Sequence, residues 1–237
     1  METIIFDVDD TLYDQTVPFR NSFKRLFDVP FSDTELDKLY VASRKVSDSL
    51  FDRCEAGEIS ITEMQIRRVT DAWEQFNIPI TRDKAQKFQE TYLDEQHKIQ
   101  LFEEVEQLLE LLHNEGKQLA ILTNGEDKHQ SMKIKQLGLE RWIPKENHFI
   151  SGALGVAKPN TEVFQIIEDR LKLDKKKTVY IGDSFDNDIV GAKKAGWQAI
   201  WMNHRKRKMP VGTHKPDKEM YHAKEMLEFF QPIIINN

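Results

Sequence analysis

The first fourteen residues, Met1-Glu-Thr-Ile-Ile-Phe-Asp-Val-Asp-Asp-Thr-Leu-Tyr-Asp14, combine a short apolar run with a cluster of acidic residues. The apolar residues are β-branched and aromatic, which is typical of a strand buried in a parallel sheet. Asp7, Asp9 and Asp10 crowd the carboxyl end of that strand, where open α/β sheets bind their ligands. Carboxylates this close repel each other, a hard divalent cation relieves the repulsion, and one of them could act as a nucleophile. Taken alone, the same residues also suit a turn or a helix cap.

The composition limits the classes of protein that this chain can belong to. It has 237 residues, of which 39% are hydrophobic and 31% charged, and a net charge of −6. The charge argues against binding to a nucleic acid polymer. No run approaches the roughly 18 apolar residues that a membrane span needs, and the start has no basic flank and apolar core of a signal peptide. The single cysteine, Cys54, fits a reducing compartment. These features predict a cytoplasmic protein with no membrane partner.

Between residues 16 and 98 the pattern predicts helices and no strand. Pro30, Gly57 and Pro79 separate the predicted helices, as helix breakers should, and Ser32 and Ser60 stand at plausible capped starts. The aromatic residues in this block are predicted to form its core, not a stacking platform. The apolar residues at helical spacing are Phe19, Phe23, Leu26 and Phe27, then Leu36, Leu39 and Tyr40, then Met64, Ile66, Val69, Trp73 and Phe76, and finally Phe88, Tyr92 and Leu93.

From Phe102 onward strands and helices alternate. Strands are predicted at 118–123, 148–151, 178–181 and 198–202. Helices are predicted at 102–112, between the strands at 118–123 and 148–151, at 161–171 and at 189–195. This alternation predicts a parallel sheet with right-handed crossovers. Because the first strand must join that sheet, the predicted fold is α/β, a Rossmann-like core of residues 1–15 and 100–237 interrupted by an all-helical cap of residues 16–99.

Three later strand ends carry polar groups. Thr123-Asn124-Gly125 offers a hydroxyl, an amide and flexible backbone donors, which suit phosphate oxygens. Lys158 precedes Pro159, which we expect in the first turn of a helix, so that the ammonium would add to the positive end of the helix dipole unless an anion relieves it. Asp183 and Asp188 form a second acidic cluster. Four such clusters at the same edge of one sheet point to a site. The basic run His204-Arg-Lys-Arg-Lys208, in contrast, is predicted to be a solvated turn.

These four segments resemble, in order, the four motifs of the haloacid dehalogenase-like (HAD) hydrolase superfamily: Asp7-x-Asp9-x-Thr11, Thr123-Asn124, Lys158-Pro159, and Gly182-Asp183-Ser184 with Asp188. The inserted block is similar to the helical C1-type cap of subfamily I. Within that subfamily, the Asp-Val-Asp-Asp-Thr-Leu opening and the Gly-Glu-Ile-Ser segment at 57–60 are similar to phosphatases that include pyrimidine 5′-nucleotidases.

The resemblance implies a phosphoric monoester hydrolase in which Asp7 attacks phosphorus and Asp9 acts as general acid and base. Thr123 and the Asn124 amide would hold the transferring oxygens, and Lys158 would neutralise their charge. Mg²⁺ would be bound by Asp7, the backbone carbonyl of Asp9, and Asp183. Asp188 would be a further ligand through water, or would orient Lys158. Charge compensation of this kind is what phosphoryl transfer requires.

Other functions stay open at this point. A non-catalytic or regulatory HAD-like protein that only binds a phosphate ligand is one alternative. A 2-haloacid dehalogenase is another, although such enzymes need no metal and a second carboxylate at Asp9 does not help attack on carbon. The expected substrate is a small phosphorylated metabolite such as a nucleotide or sugar phosphate. The cap offers arginines that could grip it or be ordinary surface charges: Arg20, Arg44, Arg53, Arg67 and Arg68.

Overall fold

The opening apolar run forms the first strand of the sheet. In the computed structural model, which describes residues 1–212 and 214–235, β1 (Thr3–Phe6) is buried along its whole length. The described residues form a six-stranded parallel sheet in the order β3-β2-β1-β4-β5-β6. The other strands are β2 (Gln118–Thr123), β3 (His148–Ile150), β4 (Thr178–Gly182), β5 (Gln198–Met202) and β6 (Lys218–Met220). The chain order reverses direction at β1, which is where such sheets bind ligands.

Residues 15–99 form a separate helical unit, the cap. Its helices are α1 (Thr16–Leu26), α2 (Asp33–Glu55), α3 (Ile61–Gln75) and α4 (Arg82–Gln96). The predicted caps are present: Ser32 and Glu35 bond each other's backbone N–H, and the Ser60 hydroxyl accepts from the Glu63 N–H. The ring of Phe19 makes edge contacts with four other buried rings, those of Tyr40, Trp73, Phe88 and Tyr92. The prediction that these aromatic residues form a core is therefore confirmed.

The rest of the chain, residues 1–14 and 100–237, forms the other unit. Its helices are α5 (Glu103–Asn114), α6 (Asp127–Gln136), α7 (Ser151–Leu154), α8 (Thr161–Leu171), α9 (Gly191–Ala195) and α10 (Ala223–Ile235). An apolar core between the sheet and helices α8 and α9 includes Ile5, Phe164, Tyr180, Trp197 and Trp201. The α/β fold predicted from the alternation is confirmed.

Three local predictions were wrong or incomplete. The helix expected at 189–195 begins earlier, as a π-helix over Phe185–Val190 that continues into α9. The strand β6 and helix α10 were not predicted, because β6 has only three residues, two of them charged, and α10 contains Pro232. Helix α8 begins at Thr161 with Asn160 as its N-cap, so Pro159 lies before the helix and not in its first turn.

Helices of the length and apolar character required to cross a bilayer are absent from the described part of the chain.

Candidate active site

Asp7 lies at the carboxyl end of β1, at the centre of the sheet. Its N–H donates to the carbonyl of Ile181 at 2.8 Å, so the pairing with β4 continues one residue beyond the strand and fixes the direction of the side chain. The carboxylate is only 5% exposed, and the Thr11 hydroxyl approaches Oδ2 at 3.4 Å. Burial raises the pKa of Asp7 to about 7; Lys158 opposes the rise, and Asp188 and Asp9 add to it.

Lys158 reaches the same point from the loop before α8. Its Nζ lies 2.8 Å from Oδ1 of Asp7, 2.7 Å from Oδ1 of Asp188 and 2.7 Å from the hydroxyl of Tyr180. Burial alone would lower the pKa of Lys158, but the carboxylates of Asp188 and Asp7 hold it above the ordinary lysine value. The side chain is therefore a fixed, buried cation beside the carboxylate of Asp7.

The side-chain amide of Asn124 holds the backbone of Lys158. Nδ2 of Asn124 donates to the carbonyl of Lys158 at 2.9 Å, and Oδ1 accepts from its N–H at 2.9 Å. This pair of bonds ties the end of β2 to the loop that carries the lysine. The Asn124 side chain is therefore occupied in positioning Lys158, and the expectation that the Asn124 amide holds substrate oxygens stays a prediction.

Three carboxylates meet at this edge of the sheet. Oxygen atoms of Asp7, Asp183 and Asp188 all lie within 4.8 Å of one another. Oδ2 of Asp188 accepts from the N–H of Ser184 at 2.8 Å, and a Cβ at Gly182 would clash with that oxygen, so glycine is required there. The structure thus places Asp188 both against Lys158 and in the acidic set.

The donor set fits a divalent cation. Burial, together with the carboxylate of Asp10, raises the pKa of Asp183 well above its usual value, and the guanidinium of Arg207, 3.3 Å away, opposes the rise. Three carboxylates that repel in this way, two of them buried and Asp183 partly buried, offer only oxygen ligands and match the preference of Mg²⁺ for hard oxygen donors.

Asp9 points into a different set of contacts from Asp7. Both of its oxygens accept from the ammonium of Lys133, at 2.7 and 2.8 Å, Oδ2 also accepts from Nε2 of Gln130 at 2.9 Å, and Oδ1 from the hydroxyl of Tyr13 at 2.5 Å. Burial favours the neutral acid, but Lys133, Gln130 and Tyr13 together hold the pKa of Asp9 well below its usual range. Asp9 is thus an ionised carboxylate with donors on both oxygens.

Thr123 ends β2 with its hydroxyl buried. Within residues 1–212 and 214–235, Oγ1 of Thr123 has no hydrogen-bond partner. A buried hydroxyl without a partner costs free energy, and each such group in a native structure calls for an explanation, such as a role in binding. The hydroxyl is therefore available to a ligand oxygen at the sheet edge.

Sequence reasoning missed the residues that hold the acids in place. Gln130 and Lys133 are spaced three apart in α6, and this spacing on one helix face was the available signal. Arg205 was predicted to lie in a solvated turn, which is wrong: its side chain is only 17% exposed and bonds both Asp10 and Asp14. Its charge compensates the buried Asp10 and the partly exposed Asp14, which both follow the first strand.

The comparisons with known proteins agree with this fold and site. Residues 1–196 match the family model described as haloacid dehalogenase-like hydrolase. Since this match covers most of the chain, the chain belongs to the HAD-like hydrolase family, and the resemblance noted from the motifs is confirmed.

Relatives and solved structures extend over nearly the whole chain. The pyrimidine 5′-nucleotidase YjjG of Escherichia coli strain K12 is 26% identical over 88% of this chain and 89% of its own. The HAD hydrolase YfnB of Bacillus subtilis, solved bound to magnesium, is similar with a TM-score of 0.70 and 23% identity, over 97% of this chain and 98% of that one. A dehalogenase structure has a TM-score of 0.77 at 16% identity, over 97% and 96% of the two chains. At such identities the two structures show the shared fold alone.

Proposed function

We propose that this hydrolase removes phosphate from a small phosphorylated metabolite in a Mg²⁺-dependent reaction, through an aspartyl phosphate formed on Asp7. The observation that carries the proposal is the meeting of Asp7, Asp183 and Asp188 oxygens within 4.8 Å, beside the ammonium of Lys158. Attack on phosphorus brings several negative charges together, and a site with a fixed cation and a cation-binding acidic set is suited to stabilise them.

In the first half of the proposed reaction, a carboxylate oxygen of Asp7 bonds to phosphorus as the bond between phosphorus and the leaving oxygen breaks. Asp9 is ionised in the structure, so its carboxylate has to take up a proton before this step; the carboxyl then gives that proton to the leaving oxygen. The Thr123 hydroxyl donates to a phosphoryl oxygen, and Lys158 balances the charge next to Asp7.

In the second half, water attacks the phosphorus of the aspartyl phosphate. Asp9, now a carboxylate, takes the proton of that water, inorganic phosphate is released, and the Asp7 carboxylate is restored. The carboxylates of Asp7 and Asp183 and the backbone carbonyl of Asp9 would hold Mg²⁺, with Asp188 beside them. Mg²⁺ bound there would supply positive charge for the phosphoryl oxygens.

Two observations favour phosphate over carbon as the target. Asp9 provides a second carboxylate for proton transfer, and the acidic set provides oxygen ligands for a metal. A dehalogenase needs neither. The likeness to a dehalogenase structure concerns the fold alone and does not support that reaction here.

The test is phosphate release from a panel of phosphomonoesters. Nucleoside 5′-monophosphates come first, because the Escherichia coli relative is named a pyrimidine 5′-nucleotidase; sugar phosphates, phosphoglycolate and 4-nitrophenyl phosphate complete the panel. Each ester is assayed with Mg²⁺, with EDTA and with Asp7→Asn. The matched control is Asp186→Asn, an exposed aspartate of the same acidic segment.

We expect turnover that is lost with EDTA and with Asp7→Asn and kept with Asp186→Asn. Halide release from a 2-haloacid is measured in parallel and is expected to be absent. Folded protein that binds Mg²⁺ but releases no phosphate from any ester would contradict the proposal and favour a ligand-binding role. Turnover that is unchanged in Asp7→Asn would exclude the aspartyl phosphate.

A further inference from the structure

The carboxylate of Asp9 is held by side chains from two directions. Lys133 and Gln130 reach it from α6, and Tyr13 reaches it from the loop after β1. The side chain of Lys133 is 4% exposed, whereas that of Asp9 is 22% exposed. A lysine this buried is rare unless it is paired. Its ammonium spans both oxygens of Asp9, so the pair fixes the rotation of the carboxylate as well as its position.

Gln130 connects this contact to the end of β2. Its Nε2 donates both to Oδ2 of Asp9 at 2.9 Å and to the carbonyl of Asn124 at 2.7 Å. Both partners are acceptors, which sets the orientation of the amide. Its Oε1 is left buried and, in the described part of the chain, without a partner. Leaving this oxygen buried without a partner costs free energy, and packing alone does not explain why a glutamine stands here.

Gly125 makes room for that glutamine. Its φ is +144°, and a Cβ on it would lie 2.9 Å from Nε2 of Gln130. An L side chain at Gly125 would therefore be strained and would press on the amide that holds Asp9. The turn after β2 is shaped so that Gln130 can reach both acceptors.

We propose that Lys133, together with Gln130, is a positioning residue that fixes the rotation and position of the Asp9 carboxylate, so that, once Asp9 has taken up a proton, it faces the leaving oxygen to which the proton is transferred. This inference rests on the proposed function. Lys133 acts through Asp9 and has no direct role at phosphorus.

The consequence is a dependence on the leaving group. When the bond between phosphorus and the ester oxygen breaks, its electron pair goes to that oxygen, and an alkoxide needs the proton that Asp9 delivers. A 4-nitrophenolate is stable without that proton. A misplaced general acid therefore slows the cleavage of alkyl phosphates and spares 4-nitrophenyl phosphate.

The experiment compares Lys133→Met with the unsubstituted enzyme on two esters. One is uridine 5′-monophosphate, or the best alkyl ester of the panel, and the other is 4-nitrophenyl phosphate. The quantity compared is kcat/KM, because it reports the steps up to the first irreversible one and so leaves out hydrolysis of the shared aspartyl phosphate. We expect kcat/KM to fall about 10- to 100-fold for the alkyl ester and by less than about threefold for the aryl ester.

Three further variants sharpen the test. Lys133→Arg keeps a cation that can span a carboxylate and should recover most of the alkyl-ester rate. Tyr13→Phe removes one hydrogen-bond donor from Asp9 but keeps the buried ring. As in Lys133→Met, it should lower kcat/KM more for the alkyl ester than for the aryl ester, but by a smaller factor. Lys135→Met, an exposed lysine of the same helix, should change neither rate. If Lys133→Met proves unfolded by circular dichroism, Tyr13→Phe carries the comparison.

Equal losses on both esters would overturn the inference, because they would indicate a direct role at phosphorus or general damage to the fold. An alkyl-ester rate that is unchanged in Lys133→Met would overturn it too. Failure of the unsubstituted enzyme on every ester is a different result: it removes the proposed function itself, and this inference with it.

Discussion

The ammonium nitrogen of Lys158 lies 2.8 Å from Oδ1 of Asp7, although the two residues are 151 positions apart in the chain. The same nitrogen is 2.7 Å from Oδ1 of Asp188. One buried cation thus lies between two buried carboxylates, and a third carboxylate, Asp183, is in the same set. The position of the Lys158 ammonium explains how three carboxylates are tolerated at one edge of the sheet.

Replacing Lys158 by Met should destabilise the protein, because it leaves buried carboxylates without their cation. We expect the free energy of unfolding to fall by about 3 to 5 kcal/mol. We also expect added Mg²⁺ to raise the free energy of unfolding by more in Lys158→Met than in the unsubstituted protein. Urea unfolding with Mg²⁺ and with EDTA measures both effects. Lys128→Met, an exposed lysine, is the control. An unchanged unfolding midpoint in Lys158→Met would show that the acids do not depend on the lysine.

Arg207 should weaken binding of Mg²⁺ to the proposed site. Its Nη2 lies 3.3 Å from Oδ2 of Asp183, so the guanidinium competes for that carboxylate. Because this side chain is 44% exposed, the contact is weak, and we expect Arg207→Gln to tighten Mg²⁺ binding by about two- to fivefold. Titration calorimetry measures the affinity. Lys208→Gln makes the same change in net charge and should have a smaller effect on Mg²⁺ affinity. An equal effect in both variants would show that net charge, and not the contact between Arg207 and Asp183, changes the affinity.

Arg205 should be required as an arginine and not merely as a cation. Its guanidinium bonds both oxygens of Asp10, at 2.5 and 3.0 Å, and Asp14 at 2.7 Å. A lysine cannot make this set of contacts, so Arg205→Lys should lower the free energy of unfolding by about 1 to 3 kcal/mol. Arg141→Lys, whose side chain is 62% exposed against Glu106, should change it little. Equal free energies of unfolding for Arg205→Lys and Arg141→Lys would show that an arginine is not required at position 205.

Glu95 in the cap should make the stability of the protein depend on pH. Hydrogen bonds from Lys98, and also from Asn21 and Arg25, lower the pKa of Glu95 below its ordinary value. A lowered pKa stabilises the folded state above the ordinary glutamate pKa, and this contribution is lost as the pH falls through the folded pKa. Glu95→Gln should therefore cost about 1 to 2 kcal/mol at pH 7 and less in acid.

The measurement for Glu95 is urea unfolding across the acid range, compared between Glu95→Gln and the unsubstituted protein. Glu90→Gln, at an exposed position of the same helix, is the control and should follow the unsubstituted protein at every pH. A stability difference for Glu95→Gln that stays constant from neutral to acid pH would show that the loss is not linked to protonation.

The hydrophobic pattern of the sequence was sufficient to predict strands and helices wherever apolar residues repeat with a regular period. The strands at 118–123 and 198–202 and the helix at 161–171 were predicted with the bounds that the structure has, because a buried strand and an amphipathic helix each leave their period in the sequence. The failures lie where that period is short or broken, as in the three-residue strand β6 and in α10 with Pro232.

The side chains that support the site could not be found in this way. The basic run at 204–208 looks like a solvated turn by composition, yet Arg205 pairs with Asp10, 195 residues away. Likewise Lys133 pairs with Asp9 across 124 residues. Contacts of this kind depend on which loop passes over which strand end, and neither composition nor periodicity records that.

The parallel sheet, the helical insertion after the first strand, and the polar groups at four strand ends could all be read from the amino-acid sequence, because each follows from local pattern and from the rule that parallel strands end at one edge. How those groups are held depends on the three-dimensional fold. It placed Lys158 between Asp7 and Asp188, committed the Asn124 side chain to the Lys158 backbone, and surrounded Asp9 with donors. The physical reason is that burying a charge demands a partner, and the partner is chosen by the folded chain.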